Sequence, residues 1–468
     1  MADPNDDEAQ RGWFRWWVVP VGLVVFVLLA LPVVHMLLHR AIEAREDAIR
    51  AAGYPATLEE LDAWYPTPPP GENAAEVYAQ AFARRVDWPD ERQSRLPFFG
   101  EGELPPPGAP FPPELRAEIA AYLDDNAEAL RLIHKAAGMT HCRWPVDLRD
   151  GINCELGHLR RTRLAAQLLS LQAALAAADE KLDPVSAALE AQWGLVASLD
   201  REPVLVSRLV QTALARIALN ALERMLHDGP LPAATSADFA QRLRNYETSD
   251  SLERAFAGER AMNMAVFGPE TEKIGFDYFP DGRMGVMLYE HSGAMLADKI
   301  ACIDHLGHWV EQAQLPVEEQ VAALATAPSL DDLPRYAILS RLILPALDRI
   351  FMNDARVLAR VRAARVALAA DRYRAANGAF PETLDALVPE FLDAVPLDPF
   401  DGMPLRYRRT GGGCLVYSIG DDGDDDGGDA PRRPDGGLGN TEDKDIPFEI
   451  DRTPPALPPP PPPEAPSE

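Results

Sequence analysis

The sequence predicts a mainly α-helical protein: one N-terminal transmembrane helix, a body of antiparallel helices arranged as a bundle or as hairpins, and a small C-terminal α+β module. Three observations carry that expectation. An uncharged apolar run lies near the start, a long middle stretch repeats its leucines at helical spacing, and the last hundred residues trade that pattern for glycine, proline and acidic residues.

Residues 16–38 read WWVVPVGLVVFVLLALPVVHMLL and contain no Asp, Glu, Lys or Arg. That length matches the roughly 20 apolar residues a helix needs to cross a bilayer. Trp13, Trp16 and Trp17 suit one interface and His39 and Arg40 the other. Pro20 and Pro32 can kink such a helix without excluding it. The run is longer than the apolar part of a signal peptide and no A-x-A-like cleavage site follows, so an uncleaved anchor is expected, with residues 1–15 as a cytoplasmic tail. Arg11 and Arg15 precede the span and Arg40 and Arg45 follow it, which leaves the positive-inside rule nearly tied.

The chain has 468 residues, enough for two or three domains. Its 45 basic and 73 acidic residues give a formal charge of −28. A field of that sign argues against nucleic acid as a partner and makes divalent cations plausible. Forty of the basic residues are Arg, a bias that GC-rich coding explains without any function. Cys142, Cys154, Cys302 and Cys414 are too few and too scattered for a disulfide framework, although Cys142 and Cys154 flank a short loop and could pair in an oxidising compartment.

After the anchor, residues 39–113 read as a helical stalk followed by a proline-rich linker. The stalk continues the first helix with dispersed charges as far as Gly53 and Pro55, and Thr57 with Glu60 makes a capping box for the next helix. Residues 73–85 are helical, and 86–113 form an ordered loop. Residues 114–350 form the helical domain: Leu164, Leu168, Leu171 and Leu175 share one helix face, a second helix covers 184–199, and a third covers 203–226 with Pro203 in its first turn. Residues 265–297 mix Phe, Tyr, Gly and Met as a partner-binding loop or a lid, and helices resume over 298–313 and 330–350. Residues 351–452 form the terminal module, and 453–468 a disordered, polyproline-II-like tail.

Within the module, residues 355–376 make an amphipathic helix ended by Asn377-Gly378, Thr383 caps a short helix, and residues 405–407 and 414–419 are strands about the glycine turn 411–413. An ordered set of motifs runs through it: Tyr373, Asn377-Gly378, Phe380-Pro381, Thr383 and Leu387, then Asp398-Pro399, Pro404 and Tyr407, then Tyr417 to Gly420, Asp422-Gly423 and Asp443 to Ile446. In this order residues 355–450 resemble the globular domain of the major pseudopilins of type II secretion systems. The resemblance implies an envelope location, with the body on the periplasmic or extracytoplasmic side of the inner membrane and a link to secretion. It also implies a calcium site in the acidic loop, with Asp422, Asp445 and the carbonyl of Ile419 as ligands and Asp443 next. The sequence departs from the family at Lys444, where an acid is usual, at Phe448, near the usual tryptophan, and in the long insertion between Gly423 and Asp443. The family's processing site does not precede Trp16, so a fibre subunit is not expected. The remainder resembles membrane-anchored proteins of planctomycete-type bacteria, a likeness that implies no activity.

The chemistry of the loop suits calcium independently, because residues 421–451 hold twelve acidic side chains against three basic ones and calcium takes six to eight oxygen ligands. The bland alternative is a solvated acidic loop. Residues 422–427 also match half of an EF-hand, but Arg433 stands at its twelfth position, where the bidentate Glu belongs.

Two clusters invite a zinc reading. Cys302, His305 and His308 stand at three-residue steps on a helix, and His141, Cys142, Cys154 and His158 surround a loop; in both a structural role is the simpler reading. The sequence holds no G-x-S-x-G, P-loop, G-x-G-x-x-G or H-E-x-x-H motif. The expected function is therefore a non-enzymatic envelope protein that contacts other proteins, with a membrane-anchored hydrolase as the alternative.

Overall fold

The computed structural model describes residues 5–106, 109–268, 283–344, 346–432, 437–439, 441–442 and 444–453, the side chains of residues 5–18 and 283 excepted. The protein is mainly helical, with a three-stranded antiparallel sheet near its C-terminus and an apolar helix at its N-terminus.

Helix α1 (Asn5–Ala51) runs unbroken through both prolines. From Val19 to Ala51 it is long and apolar enough to cross a membrane, and Leu23, Phe26, Leu28 and Leu29 are 63–69% exposed. Its last turns are different. Ile42 and Ile49, seven residues apart and so on one edge, are buried with Met264, Leu296 and Ile303. The stretch expected as a solvated stalk is thus a docking helix, because its charges leave that edge free.

Thr57 caps α2 (Leu58–Trp64), its Oγ1 accepting from the Glu60 amide at 3.2 Å. The Glu60 carboxylate takes the Ala56 amide at 2.8 Å, so the box closes one residue early. Helix α3 (Ala74–Arg84) starts at Asn73, whose side chain accepts from the Ala75 amide. The proline-rich stretch carries the short α4 (Asp90–Gln93) and buries Trp88, Leu96 and Leu104. Helices α5 (Pro113–Asp125) and α6 (Ala127–Ala137) lead into α7 (Gly157–Ala178), α8 (Leu182–Ala197) and α9 (Leu205–Asp228), which pack on one another. Leu168 and Leu171 are fully buried on α7, with Leu164 and Leu175 half-buried beside them. Pro203 lies outside α9, whose N-cap is Val204. Its carbonyl instead abuts Gly258, where a Cβ would stand 1.8 Å from the oxygen, so no larger residue fits there.

The chain continues as α10 (Ala233–Glu247), α11 (Ser251–Val266), α12 (Arg283–His291), α13 (Ala294–Ala313) and α14 (Val317–Leu324). Residues 269–282 of the expected loop or lid lie outside the described residues. The helix expected over 330–350 is broken: a 3-10 turn (Leu330–Asp332) precedes Pro334, and the described residues then form the short α15 (Ile338–Ile343) before α16 begins. Asp298 on α13 holds α15 in place: its buried carboxylate accepts the Leu339 amide at 2.9 Å and the hydroxyls of Tyr289 and Ser340.

Helix α16 (Asp348–Asn377) was expected to be amphipathic, yet Val361, Ala363, Ala364, Val366, Ala367 and Leu368 are all fully buried. It packs against α9 and α10 and also against the sheet, so it has almost no solvent face. Gly378 ends it at φ 82°, the left-handed turn that Asn377-Gly378 predicts. Thr383 precedes a 3-10 turn, Leu384–Leu387, but its side chain makes no capping bond. Strands β1 (Arg406–Arg409), β2 (Gly413–Ser418) and β3 (Ile446–Asp451) pair in that order, with Tyr407 opposite Val416 and Val416 opposite Phe448. The third strand was not expected. Its alternation of Ile446, Phe448 and Ile450 carries the signal, hidden among acidic neighbours.

The helical stretch and the terminal stretch share one apolar core that includes Leu61, Leu168, Leu219, Leu368 and Ile450. A polar knot crosses the same boundary. Glu223 of α9 is 2% exposed. It accepts from Arg360 of α16 at 2.8 Å, from Arg432 at 2.8 and 3.2 Å, and from the Glu449 amide of β3 at 2.9 Å. Asn220, one turn away, takes Arg360 and the Leu438 amide. Arg208 of α9 and Asp354 of α16 form a second buried pair. Burial pushes the Glu223 carboxyl up, but Arg360, Arg432 and the Glu449 amide outweigh it and hold the group below its ordinary range.

Removing one partner of a buried pair leaves an uncompensated charge and costs about 3–5 kcal/mol. Glu223→Gln is therefore expected to destabilise the protein by about that amount, measured by denaturant unfolding at neutral pH. Because the folded pKa is lowered, the Glu223 contribution is present above the ordinary carboxylate range and lost as pH falls through the folded pKa. The gap between wild type and variant should accordingly close on acidification, and a gap that does not narrow contradicts the assignment.

Candidate functional site

The acidic loop follows β2. Asp398 sits beneath it, fully buried, accepting from the Ser418 hydroxyl at 2.8 Å and from the amides of Ile419 and Phe400 at 3.0 Å. It also pairs with Arg406 at 3.1 Å, so the Asp398-Pro399 motif anchors the end of β2 and the main chain of Ile419. Gly420 turns the chain at φ 72°, where a Cβ would stand 2.3 Å from the Lys444 carbonyl oxygen; the loop must pass that close to the segment before β3.

Its carboxylates part company beyond that turn. Asp421 forms two hydrogen bonds with Arg356 of α16, one of 3.0 Å. Asp426 pairs with Lys444 at 2.7 Å. Asp425 accepts from the Tyr417 hydroxyl and the Gly427 amide, both at 3.0 Å. Asp422, a sequence-predicted ligand, faces solvent and accepts from the Asp424 amide at 3.2 Å. Asp443 lies outside the described residues. Asp445 turns inward: it is fully buried, its Oδ2 accepts from the Gly428 amide at 2.6 Å, and its Oδ1 meets no hydrogen-bond partner among the described residues. Burial raises its pKa, and the charges of Asp425 and Asp426 raise it further against the pull of the Gly428 and Asp426 amides. Among the described residues no three His, Cys, Asp or Glu side chains converge as a metal-holding group. What the loop offers a cation among the described residues is thus the one buried carboxylate oxygen of Asp445 without a hydrogen-bond partner.

A cavity of about 730 Å3 lies between α7, α9 and the terminal sheet, with Ala174, Ile217 and Ala221 on its apolar side. Part of its polar lining is already engaged. Glu223 belongs to the buried knot, Arg224 donates to the Pro105 carbonyl at 2.7 Å, and His227 Nδ1 accepts from the Asp451 amide at 2.9 Å. Neither His141, His158 nor His305 lines it.

The two histidine and cysteine clusters sit elsewhere. His158 stacks on Trp144 at 4.7 Å and lies 3.1 Å from both oxygens of buried Glu202, which also takes the Ser207 hydroxyl. His141 is exposed and 3.7 Å from Glu72, apart from that group. Burial, then the Glu202 charge, pushes the Cys142 thiol up to about 12 and raises Cys154 likewise, which holds both protonated, while the thiolate is the form that attacks or binds metal. All four cysteines are free, so the Cys142–Cys154 pairing is not formed. His305 accepts from the Trp309 indole at 3.1 Å and burial lowers its pKa; Cys302 is fully buried. Among the described residues neither cluster brings three metal-ligating side chains together.

The knot of Glu223, Arg360 and Arg432 went unread in the sequence. The signal was a Glu placed between Leu219 and Leu226 on the apolar face of α9, and an Arg inside the aliphatic run of α16. The chain matches no protein-family model, no curated protein and no solved structure.

A folded pKa raised above the unfolded one favours folding at low pH, and that benefit is lost as pH rises through the folded value. In chelator, Asp445→Asn is therefore expected to melt above wild type at pH 7, and the gain should vanish by about pH 4, near the ordinary Asp pKa. Thermal melts across that range check it; a variant less stable at pH 7 contradicts it.

Proposed function

We propose that this protein is a membrane-anchored envelope component that works by contacting other proteins, with its body on the extracytoplasmic side and its terminal segment stabilised by a divalent cation, calcium by ligand chemistry. The observation that carries the anchoring is α1: exposed from Val19 to Leu29, then gripped by the body below. Arg45 donates to Asp304 at 2.7 and 2.9 Å and Lys299 to Glu46 at 3.0 Å, so the body hangs from the anchor without a flexible spacer.

The interaction reading is supported by where the charges go. The cavity's Glu223 is neutralised by two arginines, and its His227 is held by the Asp451 backbone, so neither is poised as a general base. The exposed face of Asp422 and Asp424 remains as an acidic surface beside the sheet. The resemblance of residues 355–450 to pseudopilins supports a contact near a secretion machine.

The cation reading rests on the Oδ1 of Asp445, since a buried carboxylate oxygen without a partner carries the full desolvation cost that a cation would offset. Asp445 and neighbouring main-chain carbonyls would hold the ion, with Asp443 the sequence's further ligand; its chemistry there is structural. Calcium is expected to raise the melting temperature of the detergent-solubilised chain and to leave Asp445→Asn unmoved, with chelator reversing the wild-type gain. An unchanged wild-type melt rejects the structural ion. For the anchor and contact reading, the full chain should resist alkaline carbonate extraction and bring down a stoichiometric partner from solubilised membranes, a partner lost when Asp422 and Asp424 become Lys. Retention of the partner by that variant rejects the acidic face as the contact.

A further inference from the structure

Helix α12 has two faces of unlike fate. Val286 and Tyr289 are 7% and 4% exposed and join the apolar cluster of Cys302, Leu306 and Trp309. Met284, Met287 and Leu288 stand 61%, 57% and 62% exposed. At about 100° per residue, positions i, i+3 and i+4 share one arc, opposite that of Val286 and Tyr289. A nine-residue helix therefore shows apolar side chains on its outer face as well as its inner one. Glu290 and exposed His291 are polar, yet Met284, Met287 and Leu288 still form one exposed apolar patch, and a patch of that kind marks a surface that something other than water covers.

The neighbours of α12 say what that is. The carbonyl of His291, the last residue of α12, lies 3.1 Å from His35 Nε2. Gly293, two residues on, packs so closely on α1 that a Cβ there would stand 3.2 Å from Leu38 Cδ1 and 3.5 Å from His35 Nε2. His35 and Leu38 are the last turn of the apolar run 16–38. At a rise of about 1.5 Å per residue, the end of α12 stands level with a point about 4.5 Å inside the span, counted from Leu38. The exposed belt of α1, including Val33, Val34 and Leu37 at 50%, 41% and 56%, occupies the same level.

We propose that α12 is an interfacial membrane helix: its Met284, Met287 and Leu288 face enters the boundary between headgroups and acyl chains beside α1. Interfacial helices bury their apolar face about 5–10 Å into that boundary, which matches the level at which α12 ends. Methionine suits the site, being flexible and tolerant of irregular surroundings. The body then meets the bilayer at two places, the span and α12, which fixes its tilt as well as its distance. The inference rests on α1 crossing the membrane.

The test is carried out on the full chain in phosphatidylethanolamine–phosphatidylglycerol vesicles. A benzophenone photo-crosslinker is installed in turn at Leu28, Met287 and the exposed Glu319, and adducts are read by mass spectrometry. Lipid adducts at Leu28 and Met287, at least tenfold above those at Glu319, are the expected result. Lipid at Leu28 with none at Met287 overturns the interfacial helix and leaves the anchor standing. Absence at both positions overturns the anchor and this inference together. Crosslinks from Met287 to a second copy of the chain overturn it as well, because protein then covers that face.

Discussion

A carboxylate buried in a helical interior must be matched or it unfolds what surrounds it, and Glu223 is matched by groups from three separate parts of the chain. Arg360 comes from α16, Arg432 from the acidic loop region and the Glu449 amide from β3. None of these partners can leave without exposing the others to an unpaired charge. The terminal strand is therefore tied to α9 across more than two hundred residues of sequence, and the continuous apolar core about α16 sets the same boundary condition. The segments read as a helical domain and a terminal module meet through a helix that belongs to both.

That tie explains how so acidic an end is tolerated. Part of the charge is neutralised by bases: Arg356 takes Asp421, Lys444 takes Asp426, and Arg432 lies 3.7 Å from Glu449 as well as holding Glu223. Part is turned to solvent, where high dielectric weakens repulsion. Among the described carboxylates of this end, Asp445 is the one drawn inward with an oxygen unsatisfied, and there the cation proposal concentrates. At the other end of the chain, Ile42, Ile49 and Arg45 dock α1 on α13, so what is built on α16 hangs in a fixed relation to the apolar helix.

Much of the fold was legible because periodicity and punctuation are local. The apolar run, the Thr57 cap, the leucine stripe of α7 and the Asn377-Gly378 stop each rest on a few neighbouring residues, and each was found where expected. Pro203 misled because a proline suits either the first turn or the residue before the cap, and the close fit of Gly258 against its carbonyl is a tertiary fact. The near-complete burial of the middle of α16 was illegible for the same reason: seven arginines make the helix read as amphipathic, and Arg360 is buried only because Glu223 waits on a distant helix. At the candidate site, composition pointed to the loop, while the division between exposed Asp422 and buried Asp445 depends on a turn that brings Gly420 against Lys444.

The unity of body and terminal sheet is tested most directly by native-state hydrogen exchange on the intact chain in detergent. Amides of β3, read at Phe448 and Ile450, should open with the same free energy and the same denaturant dependence as those of Leu219 and Leu222 on α9, as expected for one cooperative unit. Exchange of β3 through a low-energy opening while α9 stays protected would show the sheet to be an independent appendage and contradict the account.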